Sequence, residues 1–288
     1  MLGTAQIGMR YGISNKTGKP DPASADRLLD TAWKAGMRYL DTAQNYGDSE
    51  SIIGEWHRKN PDQRFSVVTK IDPSLDPADS EVLRQALDGS AARLGVRPAA
   101  ILLHDPALAT ELNGRVRASL EAAQNAGEAG AIGLSVYTPA EFSAAISSPL
   151  IDIIQAPLNV FDTRILDEGL LDRAISCGKR VFIRSVFLQG FLTLRPDTLP
   201  DKMLFAANSL KEWNDVCQAL GRDAFPTALK FVQQLTTDAN LVIGCETVDQ
   251  LTANLAAFDE PDLSETDIAA IATMAPAPER LINPALWP

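Results

Sequence analysis

The chain has 288 residues, 45% hydrophobic and 22% charged, proportions that suit one large globular domain, since α/β barrels run to about 250 residues. A formal net charge of -11 argues against a general nucleic-acid or anionic-membrane surface, because such partners need clustered Lys and Arg. Three scattered cysteines, Cys177, Cys217 and Cys245, suggest neither disulfides nor a metal site, and no signal peptide or run of roughly 18 apolar residues is present, so an unprocessed cytoplasmic protein is expected.

In chain order, short β-rich runs predict strands at 1–6, 37–41, 65–70, 99–104, 130–135, 151–155, 180–185 and 240–244. Between them, helical patterns fall near 24–35, 49–59, 79–94, 111–127, 139–147, 165–177, 209–220, 226–236 and 247–258. Several carry start and stop signals. Thr138-Pro139 sets a capping hydroxyl before a first-turn proline, Asp79 and Glu81 place acids at a positive helix end, and Gly178 is positioned to end the helix over 165–177. The long connection 186–208 follows the seventh strand, where barrels build lids over ligands. A last helix over 264–275 begins at Ser264, and the Pro-rich tail 276–288 is expected to lie across the surface. Strands alternating with helices predict a closed (β/α)8 TIM barrel, a single domain spanning 1–288 with its C-terminal helix and tail at 264–288. An open doubly wound sheet has the same element count, but no G-x-G-x-x-G turn follows the first strand, since Gly3 and Gly8 are wrongly spaced.

In a parallel barrel the strand C-termini meet on one face, so Asp41, Lys70 and His104 are expected at one pocket, with Tyr46 delivered by the loop after the second strand. A phenol has a pKa of about 10, and a neighbouring ammonium favours its ionised form, so Lys70 is expected to lower the Tyr46 pKa while Asp41 holds Lys70 in place. Such a phenol can protonate an oxyanion developing on a carbonyl, with His104 polarising the same oxygen. Carbonyl reduction also needs a hydride, which no side chain supplies, so a nicotinamide or flavin is implied. Each residue alone has a plainer reading: a polar strand end, a solvated lysine, a half-buried phenol, a structural histidine. It is the four together that point to chemistry.

Other residues divide similarly. His57, followed by Arg58 and Lys59 late in a helix, is expected on the surface. Cys245 reads as a small buried filler, and Trp56 and Trp213 as helix-face packing. Arg184 ends the apolar run Val181-Phe182-Ile183 and should enter a polar rim, by itself or in a structural salt bridge. Trp287 either covers the pocket or anchors the terminus.

Taken in order, Leu2-Gly3-Thr4-Ala5, Leu40-Asp41-Thr42-Ala43-Gln44-Asn45-Tyr46-Gly47, Val68-Thr69-Lys70, Leu102-Leu103-His104-Asp105-Pro106, Gly133-Leu134-Ser135, Ile154-Gln155, Ser185-Val186-Phe187-Leu188-Gln189-Gly190 and Ile243-Gly244 with Gln250 and Asn254 resemble the aldo-keto reductases over nearly the full chain. The resemblance implies a catalytic tetrad of Asp41, Tyr46, Lys70 and His104, with Tyr46 as general acid. It implies a nicotinamide dinucleotide held by Thr4, Ala5, Asp41, Ser135, Gln155, Ser185, Phe187, Leu188, Gly190, Arg195, Gly244, Glu246, Gln250 and Asn254. Arg184 falls where the family stacks an aromatic ring on the nicotinamide and is expected to bind the cofactor too, its planar guanidinium stacking in the ring's place or pairing with phosphate, and Val136 replaces a frequent asparagine. Family habit implies NADP(H); Glu246, standing where NADPH-binding members often have serine, makes NAD(H) the alternative, because a carboxylate repels a 2′-phosphate and accepts from a free ribose. Gln6, Tyr11, Gln44, Asn45 and Arg184 suggest a polar pocket for a sugar-like aldehyde or ketone. The competing readings are a Lys70 Schiff-base aldolase or lyase, and a non-catalytic, cofactor-binding redox sensor similar to the potassium-channel β subunits. No metal is expected.

Overall fold

Short apolar runs build the sheet of the protein, whose computed structural model describes residues 1–112 and 114–287. The strands are β1 (Leu2–Gly3), β2 (Tyr39–Asp41), β3 (Ser66–Ile71), β4 (Ala100–Leu103), β5 (Ala131–Ser135), β6 (Ile153–Pro157), β7 (Arg180–Arg184), β8 (Asn240–Leu241) and β9 (Ile243–Gly244). All pairings are parallel. β4 and β6 are buried along their whole length, as strands covered on both faces must be.

Closure of the ring is carried by the last run. β8 and β9 are separated only by Val242; Leu241 sits opposite Ile183 of β7, while Ile243 sits opposite Leu2 of β1. Residues 240–244 thus act as one strand joining the two ends of the sheet, and the chain forms a (β/α)8 barrel. The two-residue alternation of strands then stacks the interior in layers. Val68, Ala100, Leu102, Ile153 and Phe182 form one apolar cluster, and two residues further along their strands stand Lys70, His104, Gln155 and Arg184. The same periodicity that fills the barrel delivers polar groups to its C-terminal rim.

Helix ends follow their sequence signals. Asp79 accepts from the amides of Glu81 and Val82 at 3.0 and 3.2 Å, and Thr138 with Glu141 forms a capping box. Four expectations change. The first strand stops at Gly3, because Ala5–Gly8 turns helical. The helix expected over 165–177 is two pieces, Arg164–Asp167 and Leu170–Ser176, broken where Gly169 takes φ +64°. The tail does not simply cross the surface: Leu281 and Ile282 are buried, and Trp287 anchors it by donating to the Leu281 carbonyl at 3.1 Å.

The fourth change is His57, which is buried, only 1% exposed. Its Nδ1 donates to the Leu94 carbonyl at 2.9 Å, and its Nε2 accepts from the Phe65 amide at 3.2 Å. That pair of partners defines a neutral ring, and burial holds its pKa below the usual range. Trp56, Trp213 and Cys245 are buried packing residues as expected. The connection 186–208 is folded into short 3-10 turns over Leu188–Thr193, Pro196–Thr198 and Asp201–Ala206, with Leu188, Phe191, Leu192 and Met203 in the core. No described helix is long and apolar enough to cross a membrane.

Candidate active site

A cavity of ≈ 630 Å³ opens at the C-terminal ends of the strands. Asp41, Tyr46 and His104 line it. Lys70 stands just behind the wall, 1% exposed, with its Nζ donating to both carboxylate oxygens of Asp41 at 2.8 and 2.7 Å and to the Thr42 carbonyl at 2.9 Å. The same Nζ lies 5.0 Å from the centre of the Tyr46 ring. His104 meets that ring edge-on, with centroids 5.9 Å apart and planes at 80°.

The loop carrying Tyr46 is clamped by close packing. A Cβ on Gly8 would fall 1.9 Å from the Tyr46 carbonyl oxygen, and one on Gly47 would fall 2.4 Å from the Gly8 carbonyl, so only glycine allows the two segments to touch. Beneath them, Thr42 donates to Ser49 at 2.9 Å, and Ser49 in turn donates to the Thr4 hydroxyl at 2.8 Å.

Burial dominates the electrostatics. It raises the Tyr46 pKa above the ordinary phenol value, and the Asp41 carboxylate adds to the rise, so the phenol is protonated at neutral pH. This reverses the expectation that Lys70 lowers it: burial and the Asp41 carboxylate outweigh the ammonium 5.0 Å from the ring centre. Burial likewise pulls Lys70 down, against the pull of Asp41. His104 is lowered to about 4, first by burial and then by Lys70 and Arg184, and is therefore a neutral imidazole, with Nδ1 buried and without a partner among the described residues.

Gln155, at the end of β6, donates through Nε2 to Asp41 at 2.7 Å, while its Oε1 is buried without a partner among the described residues. An unpaired buried carbonyl in a cavity wall is suited to an amide donor from a ligand. Ser135 lies beside it in the lining. Next comes a strained turn: Ser185, Leu188 and Gln189 have φ of +62°, +48° and +54°, and Gly190 has +88°, a concentration of left-handed backbone typical of ligand clamps. Ser185, Phe187 and Gly190 line the cavity; Leu188 is in the core, and Arg195 is exposed and paired with Asp197 at 3.1 Å. At the far end Glu246, 8% exposed, takes no cation among the described residues, and its amide donates to Gln250 at 2.9 Å. Gly244, Gln250 and Asn254 line the cavity with it, as do Thr4 and Ala5, Thr4 donating to the Asp41 carbonyl at 2.9 Å. No group of three or more potential metal ligands occurs among the described residues.

A model of the aldo/keto reductase family matches residues 1–275. The chain belongs to that family. The reductase is 26% identical to the NADH-specific methylglyoxal reductase of Escherichia coli, over 88% of each chain, and 28% identical to a 6-dehydroglucose reductase of Novosphingobium aromaticivorans, over 63% of this chain and 64% of that one. Its fold matches an aldo-keto reductase of Bacillus halodurans in holo form, with a TM-score of 0.78, 19% identity and coverage of 98% and 94%. A glycerol dehydrogenase of Gluconobacter oxydans matches with a TM-score of 0.73, 21% identity and coverage of 96% and 92%. The protein is therefore an oxidoreductase acting on carbonyls, of a family that uses nicotinamide cofactors.

Within the reductase's cavity, Gln6, Tyr11 and Asn45 line the wall as the sequence suggests, but Gln44 does not. Its amide donates to the Ala86 carbonyl and the Ser90 hydroxyl and accepts from the Asp72 amide, at 3.0, 2.9 and 2.9 Å, which makes it part of the frame. Sequence reasoning missed Tyr137 and Phe225, both cavity-lining. Tyr137 alone carried a signal, two residues beyond Ser135 in the alternation of β5. Arg184 forms no salt bridge among the described residues: one terminal nitrogen donates to the Val136 carbonyl at 3.0 Å, the other to Ser185 at 3.2 Å, and its guanidinium carbon lies 4.2 Å from the centre of the Tyr137 ring.

Proposed function

We propose that this reductase converts an aldehyde or ketone to an alcohol, with Tyr46 as proton donor and NADH as the preferred cofactor. The observation that carries the proposal is a protonated phenol in the cavity wall, flanked by a neutral imidazole and backed by a lysine locked onto a carboxylate. The chain's residues fit a nicotinamide dinucleotide: the Gln155 Oε1, without a partner among the described residues, would accept from an amide donor of the cofactor, and the Glu246 carboxylate would accept from ribose hydroxyls. When bound, the reduced nicotinamide supplies the hydride to the carbonyl carbon.

Tyr46 gives its proton to the substrate oxygen as negative charge gathers there. An alkoxide is far more basic than a phenolate, so a phenol of raised pKa is still a competent donor, and it remains charged with its proton throughout the neutral range. The phenolate left behind is stabilised by the Lys70 ammonium, which Asp41 and the Thr42 carbonyl hold in place. His104, uncharged, hydrogen-bonds the same oxygen without competing to donate a full proton.

Glu246 favours NADH. A 2′-phosphate beside a buried carboxylate that has no compensating Lys or Arg among the described residues is repelled, whereas two free hydroxyls are bound. The relative named NADH-specific supports this preference over the family's NADP(H) habit. A Schiff base on Lys70 fits less well, since its amine is buried, already donates three hydrogen bonds and does not line the cavity.

Titration of each nucleotide against tryptophan fluorescence, together with NADH consumption over an aldehyde and ketone panel, tests the proposal. NADH is expected to bind at least tenfold tighter than NADPH, and Glu246→Ser to narrow that ratio. Equal affinities would remove the cofactor assignment. Full turnover in Tyr46→Phe would remove the proton donor.

A further inference from the structure

Arg184 is the only Arg or Lys among the residues lining the cavity, and no carboxylate pairs with it among the described residues. Its side chain comes from the end of β7 on the barrel-interior register, two residues beyond the buried Phe182. Its position is fixed from two sides: the Tyr137 ring covers one face of the guanidinium, and the Val136 carbonyl and Ser185 hydroxyl take one N–H from each terminal nitrogen. A guanidinium has five N–H donors, so three remain. Its charge reaches the reacting end of the cavity, since it depresses His104 and opposes the rise of both Tyr46 and Tyr11. A preorganised fork with spare donors, no counter-ion among the described residues and a charge felt at the proton donor is built for an oxyanion brought by a ligand.

We propose that Arg184 reads the substrate, and that the reductase prefers carbonyl compounds bearing a carboxylate over their neutral counterparts. The proposal rests on the carbonyl-reduction reading of this cavity and narrows its substrate class. It also reassigns Arg184: the residue binds the substrate's carboxylate, and the Tyr137 ring, not the nicotinamide, is what its plane stacks on. No electron or proton passes through Arg184; it orients the carbonyl toward Tyr46 by anchoring the other end of the molecule.

The test uses matched pairs differing only by a carboxylate for a hydroxymethyl group: glyoxylate against glycolaldehyde, pyruvate against hydroxyacetone, and succinate semialdehyde against hydroxybutanal. In the wild-type enzyme with NADH, at least one pair should show a tenfold or greater kcat/KM preference for the acid. In Arg184→Met that ratio should collapse toward one, and in Arg184→Lys, which keeps the charge without the fork, it should fall between. A wild-type enzyme indifferent to the carboxylate, or an Arg184→Met enzyme that keeps the preference, overturns the proposal. So does an Arg184→Met protein whose NADH affinity falls as far as its acid turnover, because the arginine then belongs to the cofactor.

A binding arm separates this failure from failure of the reductase reading. Lactate and propylene glycol, the alcohols of one pair, are titrated into NAD-loaded protein. Lactate should bind at least tenfold tighter in the wild type and lose that advantage in Arg184→Met. That result upholds Arg184 as the carboxylate site even if no carbonyl is turned over, and its absence overturns it.

Discussion

His57 and His104 are both withdrawn from water, and burial holds both below the usual imidazole range, yet they stand in opposite kinds of surroundings. His57 has a partner on each nitrogen and is sealed between a helix and the start of β3. His104 lines the cavity, and its Nδ1 is buried without a partner among the described residues. The same contrast separates Gln44, whose amide is fully engaged, from Gln155, whose Oε1 is not. It separates Arg93, held at 2.7 Å by the buried Glu50, from Arg184, which has no carboxylate partner among the described residues. In each of these pairs the satisfied group belongs to the frame and the unsatisfied one to the cavity wall, although Ser119, Ser148 and Gln233 also leave a buried side-chain oxygen without a partner among the described residues and do not line the cavity. Residue type alone does not distinguish frame from site; an unused donor or acceptor does so only together with a place in the cavity lining.

Substitution at the cavity wall should produce the largest effect. Tyr46→Phe removes one hydroxyl, and its kcat should fall about 10²- to 10⁴-fold, the worth of a positioned general acid, while NADH still quenches fluorescence. A Tyr46→Phe protein with a lowered melting temperature but intact turnover would move Tyr46 from site to frame. Asp41→Asn probes a residue that belongs to both. It leaves Lys70 charged and buried without its counter-ion, which costs about 3–5 kcal/mol of stability, and kcat should drop with little change in NADH affinity. Denaturant unfolding measures the first and steady-state kinetics the second; unchanged stability would mean that Lys70 is neutral in the fold. On the frame side, His57→Leu strands the Leu94 carbonyl and the Phe65 amide. It should cost about 1–3 kcal/mol with kcat/KM unaltered, and a loss of turnover at unchanged stability would erase the distinction between the two histidines.

Much of this molecule is written locally. Parallel strands buried on both faces read as apolar runs, which is why every strand was visible, and the rim residues follow because strand ends converge. What depends on packing between distant segments was not visible. The late-helix position of His57, beside Arg58 and Lys59, gives no sign that the ring turns toward Phe65 and Leu94. Gln44 adjoins Asn45 and Tyr46 in sequence, but its amide is claimed by a helix 42 residues on, at Ala86. The sign of the Tyr46 shift depends on burial depth, which no spacing reveals. Arg184 was conspicuous as a charge at the end of an apolar run; that it has no counter-ion among the described residues emerges only from the placement of its neighbours.

The smallest effect, and the most discriminating for the frame, is on stability against pH. His57 and His104 are the only two histidines, and both have folded pKa values below the 6.5 of a free imidazole. Below that value the unfolded chain binds protons that the folded chain refuses, so their contribution to stability is complete above about pH 6.5 and declines as pH falls, toward about 4 for His104. The buried N-terminal ammonium, also held low by burial, adds a loss of the same sign nearer neutrality. Each histidine can contribute a slope of up to about 1.36 kcal/mol per pH unit. Unfolding free energies measured between about pH 6.5 and 5, above the range where carboxylates titrate heavily, should therefore decline in the wild type and decline less steeply in His57→Leu. Equal slopes would mean that the folded protein protonates His57 freely, and so that its two hydrogen bonds do not hold the neutral ring in place.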